Sequence, residues 1–302
     1  MAVTPWMELE LEVPVESADD IAGLLVDAGA LGAELRTTPD RAHQLIVASY
    51  EGATDPAAAA VAARALLANF GVPLRHDIVV RQREDGEWAV RWKDYFAPLQ
   101  LGRHLWVVPT WVDDFRPPAM ARVVRMDPGM AFGTGQHAST AMTWELLEES
   151  LIRLSPAERV GAHVLDVGCG TGVLAMGAVA LGAGRATAID NDPIAVQVAI
   201  DNALVNGLQA AIEVLATPLE RLQQRFAHVV ANILAPTIIE MATDLVEHLS
   251  PRGQLYLSGI LAAERDEVTT AIRAATHRLG RGDLALRSER QREDWVALAF
   301  GP

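Results

Sequence analysis

The chain has 302 residues, of which half are hydrophobic and 21% are charged, so it is long enough for two domains and globular rather than disordered. Its net charge of −14 argues against direct nucleic-acid binding, and its single cysteine excludes an intramolecular disulfide. No uncharged apolar stretch reaches membrane-spanning length, and the first 13 residues alternate with glutamates instead of forming a secretion signal. We therefore expect a cytoplasmic protein without membrane association.

The first 81 residues predict six elements in the order of a ferredoxin-like α+β domain. Residues Met7 to Val13 alternate apolar and acidic side chains, which is the pattern of a half-buried strand. Ser17 is a suitable N-cap for a helix through Ala28, and Gly29 can end that helix. The other predicted elements are strands at Ala33–Arg36 and Leu45–Tyr50, a helix at Pro56–Asn69 and a strand at Ile78–Arg81.

Charge and motif content predict different tasks for the two parts of the chain. Residues 1 to 115 hold 18 acids and 9 bases, a net charge of −9, and show no group of residues suited to catalysis. We expect this part, including a tryptophan-rich connecting region, to be a substrate-recognition domain that attracts a basic partner. Consecutive prolines, Pro117 and Pro118, favour a linker over residues 116 to 125. Residues 126 to 302 are then the catalytic domain.

Strands and helices alternate in this second part, as a doubly wound parallel sheet requires. Two further strands joined by a charged turn predict an antiparallel hairpin at one edge of a seven-stranded sheet. Ligands in such sheets bind beyond the carboxyl ends of the strands. The predicted strands are His163–Val167, Ala186–Asp190, Ile212–Leu215, His228–Ile233, Gln254–Ser258, Leu284–Ser288 and Trp295–Phe300.

A glycine turn follows the first of these strands and predicts a cofactor site. Its glycines, Gly168, Gly170 and Gly172, let the backbone approach a ligand closely because no Cβ intrudes. Asp190 ends the next strand, 18 residues beyond Gly172, near the spacing at which a carboxylate binds ribose hydroxyls. The ligand is therefore expected to contain a ribose. Cys169 inside the turn is interpreted as a small filling residue and not as a nucleophile.

NAD and S-adenosylmethionine both fit the glycines, and Asp166 distinguishes between them. Gly170, Gly172 and Ala175 also satisfy the loose dinucleotide fingerprint, so NAD stays an alternative. A carboxylate at Asp166 would repel a pyrophosphate, whereas it would attract the sulfonium and ammonium groups of S-adenosyl-L-methionine (S-adenosylmethionine). The Asp-x-Gly-x-Gly-x-Gly order resembles the first motif of the class I Rossmann-like methyltransferases. A turn that binds no ligand is the remaining alternative.

Asn232 is the candidate catalytic residue. It ends the fourth predicted strand in the order Asn-Ile-Leu-Ala, where amine-modifying enzymes of this class place a polar residue. An asparagine there can accept a proton from an amine while donating to the cofactor. The structural alternative is that Asn232 only caps a loop. The Pro-Pro-aromatic ending typical of base-modifying enzymes does not follow it, so adenine is disfavoured as a target.

The glycine-rich stretch from Met126 to Thr140 is the most specific motif of the chain. It resembles the signature of the PrmA family, the bacterial methyltransferases of ribosomal protein L11, although Gln136, Ala138 and Ser139 differ from the commoner residues. Further matches are Trp88-Ala-Val-Arg-Trp-Lys93, Trp106-Val-Val-Pro-Thr-Trp111 and the Asn232 motif, and together they span nearly the whole chain in family order.

The resemblance implies S-adenosylmethionine-dependent methylation of lysine ε-amines and an N-terminal α-amine on ribosomal protein L11. By motif position it assigns cofactor binding to Thr140, Gly168, Asp190 and Asn232, beside Asp166, Gly170 and Gly172 from the turn. No metal site is predicted, and His137 receives no catalytic role. Alternatives that keep the cofactor motifs are a protein-lysine methyltransferase with another substrate and a noncatalytic adenosine-ligand binder.

Overall fold

The computed structural model describes residues 6–30, 32–51, 55–69, 71–83, 97–127 and 137–302. The chain divides into two compact units. The first unit extends from the N-terminus to Ala97, and the second comprises Pro98–Asp127 and Gly133–Pro302. This division lies earlier in the chain than the predicted linker at 116 to 125.

The first unit has the predicted ferredoxin-like order of elements, with a four-stranded sheet ordered β2-β3-β1-β4 in which neighbours are antiparallel. One helix start was predicted wrongly. Helix α1 begins at Val15 after Pro14, not behind Ser17, because the strand continues directly into the helix. Gly29, with a φ of 103°, follows its end as predicted. The elements are β1 Trp6–Pro14, α1 Val15–Asp27, β2 Gly32–Thr37, β3 His43–Glu51, α2 Pro56–Asn69 and β4 Val79–Arg83.

Alternation along β1 builds the core of the first unit. Met7, Leu9, Leu11 and Val13 are all buried on one face of the strand and form a single apolar cluster with residues of α1 and α2. The glutamates between them lie on the other face. Two of these are paired with arginines, Glu10 with Arg81 at 2.9 Å and Glu12 with Arg75 at 2.7 Å, so part of the acidic charge is balanced locally.

A small three-stranded sheet opens the second unit, formed by β5 Leu99–Leu101, β6 Leu105–Val108 and β7 Arg122–Arg125. The hairpin β5-β6 is antiparallel, and β6 pairs with β7 in parallel. Leu101, Leu105 and Val124 are at most 1% exposed and belong to a core cluster of the second unit. Arg122–Arg125 is therefore a strand packed into this core, at residues that the sequence assigned to the linker.

Glu148 holds the β5-β6 hairpin in place, a role that sequence reasoning missed. Its carboxylate is 2% exposed and accepts hydrogen bonds from the backbone N–H groups of Arg103 at 2.7 Å and His104 at 2.8 Å. Gly102 in the turn has a φ of 59°, and a Cβ there would lie 2.4 Å from a Glu148 oxygen. The hairpin turn therefore needs glycine for both backbone conformation and space.

The main sheet of the second unit confirms the predicted seven strands, in the order β10-β9-β8-β11-β12-β14-β13. The first five strands of this order are parallel, while β14 is antiparallel to both of its neighbours. The parallel strands end at one common edge, and this edge carries the candidate site. The strands are β8 His163–Val167, β9 Arg185–Ile189, β10 Ile212–Leu215, β11 Phe226–Asn232, β12 Leu249–Leu261, β13 Ala285–Arg292 and β14 Trp295–Gly301.

Helices alternate with the parallel strands of the second unit. The apolar residues of this unit form two core clusters. None of the helices in the described part of the chain combines the length and apolar character needed to cross a membrane. The helices of this unit are α3 Ala138–Arg153, α4 Pro156–Gly161, α5 Val173–Ala180, α6 Pro193–Val205, α7 Ala235–Glu240, α8 Ala242–Glu247 and α9 Arg265–Arg278.

Candidate active site at the carboxyl edge of the parallel sheet

The glycine turn between β8 and α5 adopts a left-handed backbone at each of its glycines. The φ angles are 66° at Gly168, 53° at Gly170 and 76° at Gly172, so an L side chain would be strained at any of them. Space adds a second requirement, because a Cβ at Gly168 would lie only 2.3 Å from Cγ2 of Ile233. Gly168 thus allows the ends of β8 and β11 to approach each other.

Backbone and side-chain hydrogen bonds hold the turn from beneath. The N–H groups of Gly168 and Cys169 both donate to the carbonyl of Ile189, at 2.9 and 3.0 Å. Asn202 of α6 donates its side-chain amide to the Thr171 carbonyl at 3.0 Å and is buried. Sequence reasoning missed Asn202, because an asparagine inside a helix gives no recognisable spacing. The Cys169 thiol is buried as predicted, and this burial raises its pKa.

Asp190 joins the turn to the end of β9. One carboxylate oxygen accepts a hydrogen bond from Gly170 N at 2.9 Å, and the other accepts from Asp192 N at 3.0 Å. The residue is half-buried, and each oxygen of a carboxylate has a second lone pair that can accept from a hydroxyl. The structure therefore brings Asp190 and the glycines together, as the sequence predicted, with lone pairs left for a ribose.

Asp166 lies within the protein rather than on its surface. The side chain is 1% exposed, and Oδ2 accepts a hydrogen bond from Ala175 N at 3.1 Å. Burial raises the pKa of this carboxyl to about 7, Asp190 acts in the same direction, and the bond from Ala175 opposes both. The contact that the structure shows is with the first turn of α5, and direct contact with a ligand stays a prediction.

Asn232 is the last residue of β11 and is 7% exposed. Its Nδ2 donates a hydrogen bond to Oγ1 of Thr140, 3.0 Å away, although the two residues are 92 positions apart in the chain. Its Oδ1 is buried and has no hydrogen-bond partner within the described ranges. A buried acceptor without a partner is costly, so this oxygen marks a position where a donor from a ligand fits.

Ser258 and Gly259 of β12 position the residue after Asn232, and neither was foreseen from the sequence. The N–H of Ile233 donates to the Ser258 carbonyl at 3.1 Å. Gly259 has a φ of 79°, and a Cβ there would lie 2.3 Å from the carbonyl oxygen of Ile233. Gly168, directly after β8, and Gly259, near the end of β12, therefore both lie against Ile233 beside Asn232.

The site combines the glycine turn, the carboxylate of Asp190 and the Asn232 Oδ1, which has no described partner. Such a site favours hydroxyls and cationic groups over phosphates. These properties fit S-adenosylmethionine, which carries ribose hydroxyls, an ammonium and a sulfonium. Asp190 and the turn would hold its nucleoside part.

Residues 5–301 match the family model of ribosomal protein L11 methyltransferase (PrmA). The chain belongs to this family. A ribosomal protein L11 methyltransferase of Sorangium cellulosum is 39% identical over 96% of this chain and 94% of its own length. One of Pelobacter propionicus is 36% identical over 98% of this chain and 97% of its own. The crystal structure of a ribosomal protein L11 methylase from Lactobacillus delbrueckii subsp. bulgaricus has a TM-score of 0.58 and 29% identity, and covers 68% of this chain and 98% of that one.

Membership of the PrmA family confirms the predictions of family, fold class and enzyme class. The chain is a protein methyltransferase that uses S-adenosylmethionine as methyl donor, so NAD is not its cofactor. The signature residues 128 to 136 and the Trp88 to Lys93 match lie outside the described residues. The roles of the individual site residues remain predictions.

The PrmA signature ends in helix α3, and here the structure describes His137. Its Nδ1 lies 2.7 Å from Oγ of Ser139 and accepts from Ser139 N at 3.3 Å, which makes His137 the N-cap of α3. The His137 ring also meets the Trp295 ring edge to face, with centroids 4.6 Å apart. These contacts give His137 a structural role at the start of α3.

Proposed function

We propose that this chain transfers methyl groups from S-adenosylmethionine to lysine ε-amino groups and the N-terminal α-amino group of ribosomal protein L11. The observation that carries the proposal is the buried Oδ1 of Asn232 beside the glycine turn, which has no partner among the residues that the structure describes. An amine nitrogen that donates one N–H to this oxygen keeps its lone pair free for attack. Family membership and the names of the relatives support ribosomal protein L11 as the substrate.

The chemistry requires a neutral amine. A free lysine with a pKa near 10.4 is only about 0.04% neutral at pH 7, so the site must favour deprotonation. Removal of the amine from water disfavours its charged form, and an amide acceptor, unlike a carboxylate, does not restore that charge. S-adenosylmethionine supplies an electrophilic methyl group on a sulfonium. Asn232 would align the amine, and such alignment lowers the barrier by roughly 7 to 11 kcal/mol when the geometry is close to attack.

Other site residues have proposed roles in binding. Asp190 and Gly170 would hold the ribose, since the carboxylate already accepts the Gly170 N–H and keeps further lone pairs. Gly168 and Gly172 shape the turn. Asp166, fixed below the turn, would in its deprotonated form favour a cationic ligand through charge and not through direct contact.

The first unit would recognise the protein substrate. Residues 1 to 115 carry a net charge of −9, and a ribosomal protein needs positive charge to bind RNA. The location that fits this substrate is the cytoplasm, and no step of the proposal involves a nucleic acid or a membrane.

Incubation of the chain with S-adenosylmethionine and ribosomal protein L11, followed by mass spectrometry of the intact and digested substrate, tests the proposal. We expect successive methyl additions on lysines and on the N-terminus. A substrate sample acetylated on every amine is the control and should stay unchanged. Unmodified ribosomal protein L11 in the presence of bound cofactor would contradict the proposal.

A further inference from the structure

Thr140 provides the only described hydrogen bond that the structure gives to the Asn232 side chain. Oγ1 of Thr140 accepts from Asn232 Nδ2 at 3.0 Å, and both residues are buried, with 0% and 7% exposure. The opposite atom of the same amide, Oδ1, has no partner in the part of the chain that the structure describes. The two ends of the Asn232 amide are thus in contrasting surroundings.

Packing alone does not decide which amide atom faces the substrate, because oxygen and NH₂ have nearly the same size. The Thr140 hydroxyl can accept from Nδ2 or donate to Oδ1, and the structure shows the first of these arrangements. While Thr140 accepts from Nδ2, Oδ1 points away from the hydroxyl and is available to an amine N–H. A reversed amide would present NH₂ to the amine, so that donor would face donor.

The backbone that carries Thr140 is held in place, because α3 is anchored along its length. His137 caps the helix one residue before its start and binds Ser139. Further along, Glu148 binds the backbone of the β5-β6 hairpin, and Ser150 binds Gln254 of β12. The first turn of α3 therefore has a fixed position next to the end of β11.

We propose that Thr140 is a positioning residue, whose hydroxyl accepts from Nδ2 and thereby holds the Asn232 amide with Oδ1 toward the acceptor amine. This inference rests on the proposed function of Asn232. It differs from the role that motif position assigns to Thr140, because it acts through Asn232 and not by binding the cofactor.

Thr140→Val and Thr140→Ser test the inference, since valine keeps the shape and loses the hydroxyl while serine keeps the hydroxyl. We expect Thr140→Val to lower kcat roughly ten- to hundredfold, because misplaced reacting groups cost rates of that order. The dissociation constant for S-adenosylhomocysteine, measured by calorimetry, should stay within about threefold, which is less than the loss of one good hydrogen bond causes. Thr140→Ser should restore most of kcat.

Thr143→Val is the matched control. Thr143 lies one turn further along α3, is also fully buried, and donates its hydroxyl to the Ser139 carbonyl at 2.7 Å. Its substitution removes a buried hydroxyl from the same helix without touching Asn232. Activity should therefore stay near that of the unchanged protein.

A readout without turnover comes from the side-chain amide signal of Asn232 in ¹H–¹⁵N spectra of the ligand-free protein, assigned by its loss in Asn232→Ser. Thr140→Val should shift this signal and speed its hydrogen exchange, and Thr140→Ser and Thr143→Val should not. In a double-mutant cycle, Thr140→Val should have no further effect on kcat in an Asn232→Ala background.

Three results would overturn the inference. They are an unchanged Asn232 signal in Thr140→Val, additive effects in the cycle, and a loss of S-adenosylhomocysteine affinity as large as the loss of kcat. Should Thr140→Val not fold, Thr140→Ala replaces it in every measurement. Failure of the unchanged protein to methylate ribosomal protein L11 would instead refute the proposed function, and the amide signal still tests the orientation of Asn232.

Discussion

The ends of β9 and β11 lie at the same edge of one sheet, yet their polar side chains are used differently. Each carboxylate oxygen of Asp190, which follows β9, accepts a hydrogen bond from a backbone N–H, one from Gly170 and one from Asp192. Asn232 at the end of β11 makes one described side-chain bond, to Thr140, and leaves Oδ1 without a described partner. We infer that Asp190 at the β9 end binds the cofactor and that Asn232 at the β11 end takes part in the reaction. They are called the binding end and the reactive end of the site.

Substitution of Asn232, which removes the acceptor Oδ1, tests the reactive end and should have the largest effect on kcat. Asn232→Ala should lower kcat by about a hundredfold or more, as loss of a group aligned on a reacting centre does. Affinity for S-adenosylhomocysteine should change much less, and calorimetry measures it. Asn232→Asp keeps the shape but adds a charge that stabilises the protonated amine, so it should be inactive as well. Full activity of either variant would refute the reactive role of Asn232.

Deletion of the first unit separates recognition from chemistry. A fragment of residues 98 to 302 keeps β5, β6 and β7 in their core, and should still bind S-adenosylmethionine. Its methylation of ribosomal protein L11 should fall by on the order of a hundredfold, because the target amine is no longer positioned. A fragment that begins near residue 118 would lose β5 and β6 and should be unstable, which serves as the contrasting variant. Full activity of the longer fragment would assign the first unit a role other than recognition.

The binding end is tested at Asp190. Asp190→Asn removes the charge and one acceptor, and should weaken S-adenosylmethionine binding by about 1.5 to 3 kcal/mol, the range for hydrogen bonds to charged groups. Asp192→Ala is the control, since Asp192 is a neighbouring exposed acid that caps α6 through Ile194 N. It should lower thermal stability slightly and leave affinity unchanged. Equal affinity in folded Asp190→Asn and unchanged protein would remove the ribose assignment.

Asp166 predicts a smaller, pH-dependent effect at the binding end. Burial raises its pKa from an ordinary value near 4 to about 7, so the folded state binds a proton that the unfolded state has already lost. Its contribution to stability is therefore present below pH 4 and is lost as pH rises through about 7. Compared with Asp166→Asn, the unchanged protein should lose on the order of 2 kcal/mol of unfolding free energy between pH 5 and 8.

Urea unfolding of both proteins at the two pH values measures this difference. The comparison with Asp166→Asn cancels the contributions of His163 and His228, whose pKa values burial lowers to about 4 and which act in the opposite direction. A difference that does not change with pH would show that Asp166 titrates normally.

Local patterns in the sequence predicted the order of elements in the first unit, the seven strands of the main sheet and the glycine turn. Alternation predicted β1, and the glycines after β8 predicted a left-handed turn, because these requirements depend on residues close together in the chain. Local sequence patterns did not predict the boundary between the two units. The prolines at 117 and 118 resemble a linker, but Val124 beyond them is buried in the core of the second unit.

The reactive end needed the tertiary structure. The sequence predicted Asn232 as the candidate catalytic residue and the fold class with its carboxyl-edge rule, and the resemblance to the PrmA family assigned Asn232 and Thr140 to cofactor binding. Only the structure joined them across 92 positions, left Oδ1 without a partner among the described residues, and placed Gly259 and Gly168 against Ile233. The physical reason is that hydrogen-bond saturation and the space for a Cβ depend on atoms from distant segments, whereas propensity, periodicity and turn chemistry depend on neighbours in the chain.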